Sequence, residues 1–119
     1  GISGSVLFAL NSDQLQAEGR ELLSSLIPPL KLYLLEQNDL LMVSGFTDNL
    51  VIQAGNRRYE DNLELSAQRA LTVTRALIDQ GMPPALVFAA AFGAEQPVAP
   101  NLDAAGRSRN RRVEIAAVP

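Results

Sequence analysis

The chain has no cysteine and no histidine, and these two absences exclude more chemistry than any other feature of its composition. Without cysteine there is no disulfide, no thiolate nucleophile and no thiolate metal ligand, and the fold is indifferent to the redox state around it. Without histidine there is no imidazole base, and the usual ligand sets for zinc, copper and haem lack members. The usual metal sites are therefore not expected, nothing in the composition calls for a cofactor, and most enzyme mechanisms lose their parts. Lys31 is the only lysine among ten basic residues, and the net charge is −3. That balance lacks the basic stripe that tracks nucleic acid. No apolar run approaches the ~20 residues of a membrane span, and no signal peptide is visible.

What is present suffices for one domain. The 119 residues are 47% apolar and 19% charged, a globular composition long enough to bury a core. Residues 1–119 read as that single domain. The chain opens at Gly1 directly into Ile2, Val6, Leu7 and Phe8, which leads us to expect a domain cut from a longer, membrane-anchored protein. On that expectation any link to a membrane runs through a segment outside this chain.

Hydrophobic spacing divides the chain into elements. The run SVLFAL, residues 5–10, reads as a buried strand. From about Gln14 the pattern turns helical through Leu15, Leu22, Leu23, Leu26 and Ile27, with Pro28 and Pro29 marking a kink or a second helix start. LLMVSGF, residues 40–46, predicts a strand, followed by a loop from Asn49 to about Tyr59 that carries Gly55, Arg57 and Arg58. Asp61 or Asn62 caps a helix to Gln80, with Glu64 completing a capping box. Leu63, Ala67, Ala70, Val73 and Leu77 form its expected buried face. Gly81, Pro83 and Pro84 stop it. VFAAAFG, residues 87–93, and RVEIAAV, residues 112–118, are strands, with GRSRN a short helical turn between them. The order strand, helix, strand, helix, strand, strand predicts an α+β fold: a layer of helices on one mixed four-stranded sheet.

Two charged residues stand where this arrangement builds a crevice. Asp48 follows a strand end, and Arg69 lies two turns into the next helix, at the edge where open sheets bind ligands. A carboxylate there can take an ammonium group, and a guanidinium fork matches a carboxylate. Together they would read both ends of a free amino acid, with Thr47 and Asn62 to orient it. The alternative is that Asp48 and Arg69 pair with each other, or that Asp48 closes its own turn. Two other clusters have plain readings. The four arginines between Arg107 and Arg112 lead into a half-buried strand without interleaved aromatics, so carbonyls and carboxylates such as Glu95 or Glu114 are expected partners and nucleic acid is not. Glu60, Asp61 and Glu64 crowd a helix start, where capping and the helix dipole favour acidic residues.

Four motifs in sequence carry a resemblance: GFTD at 45–48, NLELSAQRA at 62–70, FGAEQPVAPN at 92–101 and GRSRNRRVEI at 106–115. They resemble the OmpA-like peptidoglycan-binding domain over almost the whole chain, with ELSAQRA and the long loop closer to the MotB branch. The resemblance implies a two-layer βαβαββ sandwich and a periplasmic, non-catalytic module. It implies binding to the meso-diaminopimelate of a peptidoglycan stem peptide and anchoring of a membrane protein or a motor or secretion complex to the wall. It places the ligand's ammonium on Asp48 and its carboxylate on Arg69, with Thr47, Asn62 and Leu65 lining the pocket and Arg112 approaching it. The stripe Asn62, Ser66 and Arg69 would be the wall of that crevice. Phe46, where many members have histidine, would give a hydrophobic floor, and Arg57, Arg58 and Tyr59 would gate the pocket or touch glycan. The competing expectation is a protein–protein module, a homodimer or docking domain of the envelope with a vestigial pocket.

Overall fold

The computed structural model describes residues 1–9, 12–52 and 58–119. Gly55, Arg57 and Leu10, which fall within sequence-predicted elements, lie outside the described residues. One sheet holds the four strands β1 (Ile2–Ser3), β2 (Leu40–Phe46), β3 (Val87–Gly93) and β4 (Arg112–Val118), in spatial order β1-β4-β2-β3. β2 is central, antiparallel to β4 and parallel to β3. Of its seven residues only Leu40 is exposed, in keeping with its near-continuous apolar sequence. The parallel pair is joined by helix α3 (Asn62–Asp79), which packs over β2 and β3.

The sheet register sorts side chains into two faces. Leu41, Val43 and Val113 face the helices and are fully buried with Val73, Leu77, Leu23 and Leu34. Leu40, Phe88 and Ala116 stand on the opposite face and are exposed. The buried face of α3 is shifted from the predicted one: Ser66, Arg69, Ala70, Val73, Thr74, Ala76 and Leu77 are buried, whereas Leu63 is 54% exposed. Its start is as expected. The Asp61 carboxylate accepts from the Glu64 N–H at 2.8 Å, and Glu64 Oε2 accepts from the Glu60 N–H at 3.2 Å. At the other end Gly81 adopts φ +118°, a conformation that favours glycine.

The first predicted strand is corrected. Residues Gly4–Leu7 form a single helical turn, α1, capped by Ser3, and only Ile2–Ser3 pair with β4. A short apolar run fits a buried helical turn as well as a strand. Here the turn is held from outside, because the Gln16 side-chain amide donates to the Ser5 and Phe8 carbonyls at 3.0 and 2.7 Å. Helix α2 (Ala17–Gln37) runs unbroken through Pro28 and Pro29. Both prolines are exposed, as are Ser24 and Ser25, whose carbonyls lose their helical donors. Water can satisfy those carbonyls, so the helix survives.

α4 (Ala104–Asn110) is the predicted short helix, begun two residues earlier. Its last residue, Asn110, is fully buried and holds the preceding loop: Oδ1 accepts from the Val98 and Ala99 N–H groups, and Nδ2 donates to the Ala99 carbonyl and Asn101 Oδ1. This anchor fixes where Arg111 and Arg112 leave the helix. Among the described residues no helix is long and apolar enough to cross a membrane.

Candidate functional site

β2 and β3 are parallel and end together, and β4 starts at the same edge, with Phe46 opposite Arg112. Thr47 and Asp48 leave β2 there. The Thr47 N–H donates to the Gly93 carbonyl at 2.8 Å and its hydroxyl to the Asp48 carbonyl, also at 2.8 Å. Asn62, at the head of α3, donates to the Asp48 and Leu50 carbonyls at 3.3 and 3.0 Å. Thr47 and Asn62 thus shape the turn that presents Asp48. The Asp48 carboxylate is held at one oxygen, Oδ1, by the Leu50 N–H at 3.0 Å. Its other oxygen, Oδ2, accepts from Arg111 Nη1 at 2.6 Å. The alternative pairing of Asp48 with Arg69 does not form; Asp48 pairs with Arg111 instead.

Arg69 is buried at the wall of a cavity of about 410 Å³ lined by Gly4, Ser5, Phe8, Ala9, Gln16, Arg69, Ser108 and Arg111. Its Nε donates to the Ser12 carbonyl at 3.2 Å, and its guanidinium carbon sits 5.3 Å from the centre of the Phe8 ring. Among the described residues its two terminal nitrogens have no acceptor. Burial pushes its pKa below the ordinary arginine value; Arg111 pushes the same way, while Asp13 and Asp48 oppose it. Two guanidinium groups thus line one cavity, and one of them, Arg111, is bonded to the Asp48 carboxylate. A space of this size holds the head group of an amino acid.

Other predicted residues fall elsewhere. Arg112 does not approach the cavity. It lies on the opposite sheet face, 3.8 Å over the Phe46 ring, bonded to Glu114 at 2.5 Å and to the Asn110 and Gln96 carbonyls at 3.2 and 2.9 Å. The plain reading of the arginine cluster holds for this residue. Phe46 stacks on Phe92 at 5.1 Å under Arg112, so the aromatic floor of the cavity is Phe8. Ser66 is not a ligand-facing wall: it is fully buried, bonded to the Leu63 carbonyl, and accepts from the Gly93 N–H at 3.0 Å. Leu65 is half-buried, one turn before Arg69. Sequence reasoning missed Phe8, Ser12, Gln16 and Arg111.

The loop before α3 is tied to the same region. Arg58 pairs with Asp13 at 3.2 Å, and Tyr59 is buried instead of reaching outward. Its phenol is pushed up to about 12, first by burial and then by the neighbouring Asp13 carboxylate. An unfolded tyrosine ionises at the ordinary value of 10.0, so this contribution to stability is complete below that pH. It is lost as the pH climbs to about 12. A spectrophotometric titration should find one late phenol that disappears in Tyr59→Phe. Ionisation of Tyr59 at the ordinary value would contradict its buried placement.

Comparison with known proteins agrees with this architecture. The OmpA family matches residues 7–111. The outer-membrane lipoprotein YfiB of Pseudomonas aeruginosa is 37% identical over 115 residues, covering 97% of this chain and 63% of the lipoprotein. The chain thus spans less than two thirds of that curated relative. Among solved structures, a MotB-like protein from Desulfovibrio vulgaris superposes with a TM-score of 0.81 at 32% identity, covering 98% of this chain and 71% of that one. The cell wall anchor of the T6SS from Pseudomonas aeruginosa superposes with a TM-score of 0.79 at 33% identity, covering 98% and 77%.

Proposed function

Because this chain belongs to the OmpA family, we propose that it is a wall-anchoring module that binds peptidoglycan non-covalently through the diaminopimelate end of a stem peptide. The observation that carries this reading is the placement of opposite chemistries side by side: Arg69 and Arg111 line one cavity, and Arg111 is bonded to Asp48 just behind it. Asp48 can receive an ammonium group, and Arg69 offers a carboxylate two terminal nitrogens that have no acceptor among the described residues. A free α-amino acid head has both charges on one carbon, which fits a site whose partners lie on the strand end and the helix beside it. Ser5, Gln16 and Ser108 add neutral polar groups around the same cavity. Among the described residues no nucleophile beside a base stands there, so on this reading the site holds a ligand and does not transform one.

On this reading residues 1–119 act as one module, displayed in the periplasm by a parent protein attached to a membrane. A relative described as a cell wall anchor and another described as an outer-membrane lipoprotein support that setting. The test is co-sedimentation with purified sacculi. Loss of a charged hydrogen bond removes on the order of 1.5–3 kcal/mol, so Asp48→Ala should bind about tenfold more weakly or worse. Equal binding by Asp48→Ala and the parent would overturn the assignment. A second reading, a dimerisation or docking module, draws on the exposed Leu40 and Phe88 of the open sheet face. Dimers in sedimentation equilibrium without any binding to sacculi would favour it.

A further inference from the structure

The two adjacent arginines at the end of α4 are held in opposite ways. Arg112 is fastened by three acceptors and an aromatic ring. Arg111 makes one side-chain bond among the described residues, to Asp48 Oδ2. The pair is asymmetric in exposure: the Asp48 side chain is 11% exposed and that of Arg111 39%. The Asp48 end is fixed by the Leu50 N–H on its other oxygen, while the backbone of Arg111 is fixed by its N–H to the Arg107 carbonyl. The arginine side chain is therefore the part that can move. It also lines the cavity, which Asp48 does not, so Arg111 stands between the carboxylate and an incoming ligand.

We infer that Arg111 is a specificity-determining latch: it occupies the ammonium position on Asp48 and releases it only to a ligand that brings a carboxylate for Arg111 in exchange. The inference rests on the proposed amino-acid head ligand and assigns its selectivity. The exchange follows from counting charges. With a zwitterion, the ammonium takes Asp48, the carboxylate takes Arg111 and Arg69, and every charge keeps an opposite partner. With an amine alone, Asp48 changes partner and two guanidinium groups are left facing each other in one cavity, which opposes binding. With a carboxylate alone, the latch stays closed and only Arg69 engages. The site therefore rejects simple amines, accepts amino-acid heads and tolerates simple acids weakly. Arg111 achieves this without contributing a position that the ligand's amine could use.

Three probes of matched chain separate these cases: meso-diaminopimelate, cadaverine, which is the same diamine without its carboxylates, and pimelate, the same diacid without its amines. Titrations of the protein and of Arg111→Gln and Arg111→Lys, followed by amide chemical shifts, give each affinity. Arg111→Gln should gain about tenfold for cadaverine and lose about tenfold for diaminopimelate. Arg111→Lys, whose ammonium also pairs with Asp48, should keep the parent's discrimination, and its thermal transition checks that the fold is intact. Adding Asp48→Asn to Arg111→Gln should remove the gained cadaverine binding. If the parent binds diaminopimelate and Arg111→Gln leaves its preference over cadaverine unchanged, the latch is overturned. If the parent ignores diaminopimelate while Arg111→Gln gains cadaverine, the latch stands and the ligand assignment falls. Binding of neither probe by any variant overturns both.

Discussion

Arg69→Met is expected to weaken the proposed peptidoglycan binding roughly a hundredfold while changing the stability of the fold little. Arg69 supplies a planar fork whose two terminal nitrogens have no acceptor among the described residues, and a bidentate contact to a carboxylate is worth about 3 kcal/mol, roughly a hundredfold in affinity. Its contribution to folding is of another kind. Burial disfavours its charge, and Arg111 beside it adds repulsion. The compensating contacts are one bond to the Ser12 carbonyl, the face of Phe8 and the attraction of Tyr59, Asp13 and Asp48. Methionine keeps the contact with Phe8 and removes the buried charge, so the loss of the Ser12 bond is offset and stability should change by less than about 1 kcal/mol. Calorimetric titration and a thermal melt on the same sample check both halves. A large drop in melting temperature accompanying the loss of binding would make Arg69 a structural residue.

Gly45→Ala should have the largest effect on stability of any single methyl added to the chain's interior strands. β2 and α3 approach so closely at this point that a Cβ on Gly45 would overlap the carbonyl oxygen of Ser66. That oxygen belongs to helix backbone and cannot swing aside as a side chain would. The helix must instead be pushed off the sheet or the strand bent, and overpacking of this type destabilises by about 1–3 kcal/mol and occasionally more. The proposed site would feel it too. Asp48 follows Gly45 by three residues and Arg69 follows Ser66 by three, so separating the two elements separates the two ends of the proposed ligand site. Urea denaturation should show a clear fall in midpoint. Gly81→Ala serves as the comparison, because a Cβ there meets nothing and only the φ of +118° is strained. Equal midpoints for Gly45→Ala and the parent would contradict the close helix–sheet contact.

Most of the sheet and α3 were legible from sequence because their signals are local. LLMVSGF and VFAAAFG are apolar runs bounded by turn residues, and Asp61 with Glu64 announces a helix start whatever surrounds it. The N-terminal segment was not legible. SVLFAL is apolar enough for either state, and what decides it is Gln16, eleven residues further on, whose amide captures the Ser5 carbonyl. Asp48 and Arg69 stood out through motif and position. The choice between Arg111 and Arg112 did not, because it depends on the register of β4 to a single residue. Arg112 opens the strand and turns to the open face, next to Val113 on the buried one, which leaves Arg111 on the side of Asp48. Neighbouring arginines carry no local signal of that register. Phe8 and Ser12 reach Arg69 from 61 and 57 positions away in sequence, a separation that no spacing rule within a helix or strand can bridge.

The central claim is that Asp48 and Arg69 form two ends of one amino-acid site. The most direct measurement is the amide spectrum of the isotope-labelled protein titrated with a soluble diaminopimelate-containing stem peptide, beside Arg69→Met as control. Saturable shifts confined to Thr47, Asp48, Arg69, Arg111 and the first turns of α3, lost in the variant, are the predicted result. Shifts on the open sheet face around Leu40 and Phe88, or none at millimolar peptide, would contradict it.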